Sequence, residues 1–325
     1  MKFYIKKALD FITTLFLISL LTFFVFQLLP GNPALAILGP EADSAQVQAL
    51  ESKMGLNKSI GQRYLSWIGG AIRGDLGVSY QYNQSVSKLI GGSFSVTLSL
   101  ALVTLIFTVF IGYFFGFFYA YIRKSALCKP LMSIQQIWFS VPSFCTALLL
   151  ILVFSVNLGL FPTMGYVPIS EDFFSWLHSL ALPALSLALG SGAILARYTT
   201  TSILGEAKQD YVRTARSKGL SEALVIRRHI LRNALLPSVT TLGLIMVEIL
   251  GGSIIIENVF SLPGIGRLIA SSIQTRDFPL IQGLVLYLAL ITLFCNLAVD
   301  FLYSLIDPRI SLRIHRAENP QGAGA

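Results

Sequence analysis

The sequence predicts an all-α polytopic membrane protein with six transmembrane helices, and three observations carry that prediction. Its 325 residues are 54% hydrophobic and only 12% charged, with a mean hydropathy of +0.71, too apolar for an ordinary soluble domain. The apolar residues gather into six runs of the length, about 20 residues, that a helix needs to cross hydrocarbon while satisfying its own backbone. Lys and Arg crowd beside alternate runs: segments 1–8, 122–130, 197–233 and 306–325 hold 3, 3, 8 and 3 of them, so 17 of the 24 fall on one side. By the positive-inside rule that side is cytoplasmic and carries both termini. The net charge of +8 is therefore a topological signal. Nucleic acid is not an expected partner, because no basic patch is interleaved with aromatics, whereas membrane lipid is.

The first span is expected at 10–29. A stretch from Phe11 to Leu29 behind a Lys-bearing start, with Ala34-Leu35-Ala36 after it, has some look of a signal peptide, but its apolar core is longer than usual and favours an uncleaved helix. Residues 31–92 follow as an extracytoplasmic segment of helical pieces and glycine turns, among them Gly74-Asp75-Leu76-Gly77, with Trp67, Tyr80 and Tyr82 suited to the interface. Spans at 95–122, 131–156 and 178–203 come next, the last two carrying Pro142 and Pro183 as expected kinks. Between them the outer loop 157–177 contains Met164, Glu171 and Asp172. The three histidines, His178, His229 and His315, never approach ligand spacing, and Cys128, Cys145 and Cys295 read as small apolar fillers, so no metal or other cofactor is expected.

One long segment breaks the apolar pattern while keeping the residue usage of helices: Gly205 to Pro237, GEAKQDYVRTARSKGLSEALVIRRHILRNALLP. Asp210 is the expected N-cap of a short helix that ends at Gly219, and Ser221 the expected cap of a second helix, with Pro237 restarting the chain in the membrane. Two short helices meeting at a glycine make a compact knob. The fifth span, 237–258, contains Gly243, Gly251 and Gly252 for close helix contact and a carboxylate, Glu248, about 16 Å along the helix from Pro237. A charge at such depth costs roughly 2.5 to 3.5 kcal/mol on insertion scales. Glu248 therefore either lines a water-filled path, where it attracts a cation or amine, or is protonated and hydrogen-bonded within the bundle. Before the sixth span, 281–305, lies FSLPGIGRLIASSIQTRDFPLIQG, in which Arg276 and Asp277 are set to pair or to meet a partner; Asp300 falls late in that last span.

Arg213-Thr214-Ala215, Gly219 and Leu236-Pro237 stand at the positions of the E-A-A, glycine and Leu-Pro elements in the cytoplasmic coupling loop of ABC import permeases. The first Glu is missing and the Gly-to-Pro gap is long. Both departures are usual in the dipeptide, oligopeptide and nickel branch, whose loops D-Y-V-R-T-A-R-x-K-G-L and R-N-A-L-L-P resemble. The GDLG turn, the Pro-Gly-x-Gly-Arg loop, Arg-Asp-x-Pro and Asp307-Pro308-Arg309 extend the resemblance over nearly the whole chain.

That resemblance implies a type I ABC importer permease fold in a bacterial cytoplasmic (inner) membrane: an N-terminal transmembrane helix at 1–30, an extracytoplasmic segment at 31–92, a membrane domain at 93–308 with its coupling loop at 204–236, and a cytoplasmic tail at 309–325. It implies as partners a second homologous permease subunit, two ATP-binding cassette subunits and an extracytoplasmic substrate-binding protein, working by alternating access. ATPase coupling is implied for Asp210, Tyr211, Arg213, Ala215, Arg216, Gly219, Leu220 and Leu224, and Glu248 is a candidate pathway residue. Met164-Gly165-Tyr166, Arg227-Arg228-His229-Ile230, Glu248 and Glu257-Asn258 lean toward nickel, as a chelate, with di- or oligopeptides close behind.

No Gly-x-x-x-x-Gly-Lys-Ser/Thr loop, His-Glu-x-x-His or Gly-x-Ser-x-Gly pattern occurs, so the chain is not expected to be an enzyme and must borrow its ATPase. Two other classes stay open. An ion-coupled secondary transporter would use Glu248 and Asp300, although no internal repeat supports it; a receptor or scaffold would signal through the basic loop without any ATPase.

Overall fold

The computed structural model describes residues 2–28, 33–39, 42–53 and 55–306, and every regular element among them is helical apart from one antiparallel bridge between Val78 and Ser85. In chain order these are α1 (Lys2–Leu28), α2 (Pro33–Leu38), α3 (Ser44–Lys53), α4 (Ile60–Ile72), α5 (Val86–Tyr121), α6 (Cys128–Ser140), α7 (Ser143–Leu150) running on as a π-helical turn (Ile151–Asn157), α8 (Phe173–Glu206), α9 (Asp210–Ser217), α10 (Glu222–Val225), a second π-helical turn (Ile226–Ile230), α11 (Leu231–Val259), α12 (Ile265–Gln274) and α13 (Phe278–Ile306). Among the described residues five helical stretches are long and apolar enough to cross a membrane: Lys7–Gln27, Val86–Tyr121, Phe173–Glu206, Glu222–Val259 and Phe278–Val299. Two spans are longer than expected at their starts, since α5 begins at Val86 and α8 at Phe173. The start of α8 is fixed by Asp172, whose carboxylate accepts the Ser175 N–H at 2.6 Å.

The expected third span is a broken pair. The axes of Cys128–Ser140 and Ser143–Asn157 diverge by 103°. Val141, the residue before Pro142, sits at φ −82°, ψ 125°, because the proline ring excludes it from the helical region. Pro183 and Pro237 behave differently and lie inside α8 and α11. For Pro237 this corrects the expectation of a restart. A proline inside a helix leaves the carbonyl four residues back, here that of Asn233, without its N–H donor, and near this point Ser202 Oγ donates to the Ala234 carbonyl at 2.8 Å and Ser238 Oγ to that of Leu235 at 2.8 Å.

The chain divides into two compact units. One comprises residues 1–98 and 261–294. Its core joins Val86 and Ile90 of α5, Ile265 and Leu268 of α12, and Leu280 and Leu284 of α13. Gly283 lets α13 approach α5, for a Cβ there would lie 2.5 Å from Val86 Cγ1. Against this core Asp277, 1% exposed, accepts hydrogen bonds from Ser79 Oγ at 2.5 Å, Gln81 N at 3.1 Å, Tyr80 N at 3.2 Å and Leu280 N at 3.3 Å. Asp277 thus ties the turn at 79–82 to the start of α13 and does not pair with Arg276, whose backbone turns away at φ +54°. Burial, and then the Asp277 charge, push the Tyr80 phenol up to about 12. In the same unit the hydroxyls of Ser19 in α1 and Tyr64 in α4 meet at 2.8 Å, beside an edge-to-face contact of Phe23 with Tyr64.

The other unit comprises 99–260 and, of the described residues that follow, 295–306. Its axis is α8, which packs on α6, α7 and α11. Close approach to α5 rests on glycines: a Cβ on Gly112 would fall 2.5 Å from Leu195 Cδ2, and one on Gly192 2.7 Å from Ile111 Cγ2. Of the three glycines expected to serve helix contact in α11, Gly243 meets Val299 and Gly252 meets Leu187, whereas Gly251 faces open space.

Candidate functional site

The stretch 205–237 folds as the expected pair of helical pieces around a glycine turn. Helix α9 begins one residue earlier than expected in its capping: Gln209 occupies the N-cap, and Asp210 is the first helical residue, placed where its charge complements the helix dipole. The helix ends as predicted, with Gly219 at φ +78°, a conformation that costs a side-chain-bearing residue but not glycine. Ser221 holds the next N-cap position without a side-chain hydrogen bond, and α10, the π-helical turn and α11 then run on without a break.

Two apolar residues three apart anchor the knob. Val212 and Ala215 are buried against Ile203 of α8, Val225, Ile230 and Ala234. Ala215 is therefore an anchor, and it presents no outer surface. Asp210, Arg213, Gly219, Leu220 and Leu224 are exposed, Leu220 at 37% and Leu224 at 39%. The outer face thus offers a cation, an anion and two leucines at once.

Two hydrogen-bonded clusters hold this shape. Arg216 makes a bidentate bridge to Glu222 across the glycine turn, at 3.0 Å from Nε and 2.7 Å from Nη2, and the carboxylate raises the guanidinium further above its already high range. Tyr211 donates a short hydrogen bond to Glu206 and accepts one from Asn233 Nδ2 at 2.9 Å, while Asn233 also donates to the His229 carbonyl at 3.3 Å. Partial burial, then the bond to Glu206, raise the Tyr211 phenol. Sequence reasoning missed Val212, Glu206, Glu222 and Asn233. Val212 and Ala215 were detectable as the apolar i, i+3 pair in a polar run. Arg216 and Glu222 meet only because the left-handed glycine reverses the chain between them.

Glu248 lies apart from the knob, on α11. It is exposed, with no hydrogen-bond or ion-pair partner among the described residues, and it lines a cavity of about 220 Å³. The Val141–Pro142–Ser143 break, Ser186, Gly190 and Ser191 of α8, and Gly252 complete the lining. Among the described residues no hydrogen bond to Glu248 is present, and the side chain lines this cavity. A larger cavity of about 600 Å³, lined by Gln135, Gln136, Arg197 and Tyr198, shares Phe139 and Ile194 with it. Asp300 belongs to α13, but its side chain lies outside the described residues, as do Asp307-Pro308-Arg309 and the tail. Among the described residues no group of three or more His, Cys, Asp or Glu is placed to hold a metal ion.

The chain matches the model of the binding-protein-dependent transport system inner membrane component over residues 112–312, and the N-terminal model of the same membrane component over 1–101. It is 40% identical over 306 residues to a putative peptide transport system permease protein of Brucella abortus, covering 94% of this chain and 98% of the relative. It is 39% identical over 310 residues to the glutathione transport system permease protein GsiC of Escherichia coli, covering 95% and 99%. Among solved structures, the MetNI methionine ABC transporter in an inward-facing conformation aligns with a TM-score of 0.56 at 17% identity, over 67% of this chain and 96% of that one, which establishes a shared type I ABC importer permease fold. Up to six potential membrane crossings among the described residues, a fold shared with an ABC transporter and family models spanning both halves lead to one assignment: this chain belongs to the binding-protein-dependent transport system inner membrane components, as a multi-pass permease-type subunit, in a family whose architecture implies a paired permease, ATPase subunits and a substrate-binding protein.

Proposed function

We propose that the chain forms half of the translocation path of an ATP-driven importer, that residues 209–224 receive the movement of an ATPase subunit, and that the solute carried is peptide-like. The observation that carries the coupling reading is the knob: a helix anchored on Val212 and Ala215, closed by a left-handed glycine, with Asp210, Arg213, Leu220 and Leu224 turned outward. Such a knob moves as a unit, so force on its outer face passes through the continuous helix from Glu222 into α11. Charge asymmetry supports placing this knob and both termini in the cytoplasm. Glu248, unpartnered in its cavity, would then meet the solute's cationic group as the path opens to alternate sides. The printed names of two relatives, a peptide and a glutathione permease, support a peptide-like solute. A nickel chelate is the second reading, favoured by the residues at 164–166, 227–230 and 257–258.

The test is uptake into liposomes holding this chain with its second permease, two ATPases and binding protein, offered a dipeptide beside free and chelated nickel. ATP-dependent uptake that disappears in Gly219→Pro, while the complex still assembles, is the expected result. Proline fixes φ near −65° and cannot adopt the +78° this turn requires. Uptake that follows an ion gradient and ignores ATP overturns the importer reading in favour of a secondary transporter, and whichever solute accumulates decides the cargo.

A further inference from the structure

Beside the knob, and distinct from its outward face, is a groove of about 500 Å³ lined by Tyr211, Arg228, His229, Arg232, Asn233 and Leu236. Its composition sets it apart from the other cavities of this unit. Two arginines and a histidine line it, no carboxylate does, and neither Arg228 nor Arg232 has a hydrogen-bond or ion-pair partner among the described residues. Glu206, beside the groove, already accepts the Tyr211 hydroxyl. Tyr211 and Asn233 are bonded to each other at 2.9 Å, and Asn233 to the His229 carbonyl, so the wall behind the arginines is held in place before any ligand arrives.

The helix itself presents these groups together. Arg228 and His229 lie in the π-helical turn Ile226–Ile230, and Arg232 and Asn233 in the first turn of α11. Leu236 closes the groove where the apolar stretch of α11 starts, so cationic donors lie directly against apolar surface. Two unpaired fork-shaped donors with five N–H groups each can together satisfy the several oxygens of a phosphate. Basic pockets beside transmembrane helix ends are a known setting for lipid phosphates.

We propose that this groove binds a phosphate group, held by the guanidiniums of Arg228 and Arg232, supplied either by an anionic lipid headgroup or by free phosphate. Occupancy would brace the stem of the knob, because the ligand bridges the π-helical turn and α11 beside Tyr211. The site adds to the importer reading without depending on it, since binding is measured on the permease itself.

The experiment compares the purified full chain in phosphatidylcholine nanodiscs with and without phosphatidylglycerol, reading retained lipid by native mass spectrometry after release from the disc. Wild type is expected to retain phosphatidylglycerol selectively. Arg228→Gln/Arg232→Gln should weaken retention roughly thirtyfold, about fivefold per guanidinium. Arg228→Lys/Arg232→Lys should recover part of it, and Arg227→Gln, which removes one charge from the residue beside Arg228 but outside the groove, should leave it unchanged. A parallel arm adds inorganic phosphate and follows retention of the ion and displacement of the lipid. Lipid held against excess phosphate assigns the headgroup; phosphate held without lipid assigns the free anion. Equal retention by wild type and the double Gln variant, an equal loss in Arg227→Gln, or no retention of either ligand by a wild type that elutes as one folded species overturns the proposal. So does a groove filled by the ATPase subunit, read as crosslinking of Leu236→Cys to that subunit while the wild-type complex retains no phosphate.

Discussion

Asp277 and Glu248 are both carboxylates placed at or beside transmembrane helices, and they have opposite surroundings. Asp277 is buried with four donors converging on it, so its charge is spent on closing the turn at 79–82 onto α13. Glu248 faces a cavity with no partner among the described residues. A buried acid whose acceptor capacity is filled by its own chain has little left to offer a solute, whereas a free one remains available at the cost of its desolvation. The difference separates a structural carboxylate from a functional candidate better than depth in a helix does. Two further acids lie between these extremes: Asp172 caps α8, and Glu222 bridges to Arg216 on an exposed surface.

Mutation should rank these four. Asp277→Ala strands four donors at once, and a loss of about 3 kcal/mol or more is expected, read as a large fall in melting temperature by fluorescence-detected size exclusion in detergent. Asp277→Asn keeps one acceptor oxygen and should lose less; equal losses would mean that charge and not hydrogen bonding holds the turn. Asp172→Ala comes next, through a frayed start of α8, visible as faster amide exchange around Phe173–Trp176. Its carboxyl is held below the usual range chiefly by the Ser175 backbone N–H, so the cap is fully formed above the ordinary carboxylate pKa of 3.8 and is lost as pH falls through the lowered value. Protection of these amides, taken relative to their intrinsic exchange rates at each pH, should therefore fall on acidification below about pH 4 in wild type and stay constant in Asp172→Ala.

Glu222→Gln removes a surface bridge whose two side chains are 38% and 59% exposed, so less than about 1 kcal/mol is expected, shrinking further in high salt. Glu248→Gln is the smallest in stability, within about 0.5 kcal/mol, yet the one expected to slow uptake of a cationic or zwitterionic solute in the reconstituted complex. A Glu248→Gln variant as unstable as Asp277→Ala, with uptake per folded complex intact, would break the comparison.

The glycine turn gives the same lesson in backbone terms. Gly219 was legible because a glycine ending a helix-like run has one common use, and the left-handed φ is present. The N-cap at Asp210 slipped by one residue, since Gln209 also adopts the extended conformation and neighbouring polar residues compete for the same role. The three prolines show where local rules stop. Pro142 breaks its helix pair by 103°, while Pro183 and Pro237 are absorbed. Nothing in the neighbouring sequence separates these cases: around Pro237 the helix also contacts another one, Ser202 of α8 donating to the Ala234 carbonyl.

By itself the sequence determined the number of apolar runs, their charge asymmetry, the polar knob with its terminating glycine, and the isolated acid in the fifth span. Each is a property of composition or of spacing within a few helical turns, where propensity and the demands of a lipid-facing backbone act locally. Tertiary structure alone decided that Val212 and Ala215 anchor the knob, that Asp277 is satisfied by backbone groups nearly 200 residues away while Glu248 is left open, and that Arg228 and Arg232 share one groove with Tyr211. Those outcomes depend on which donors and apolar surfaces packing brings within 3 to 4 Å, and contacts between residues far apart along a chain are set by the fold as a whole.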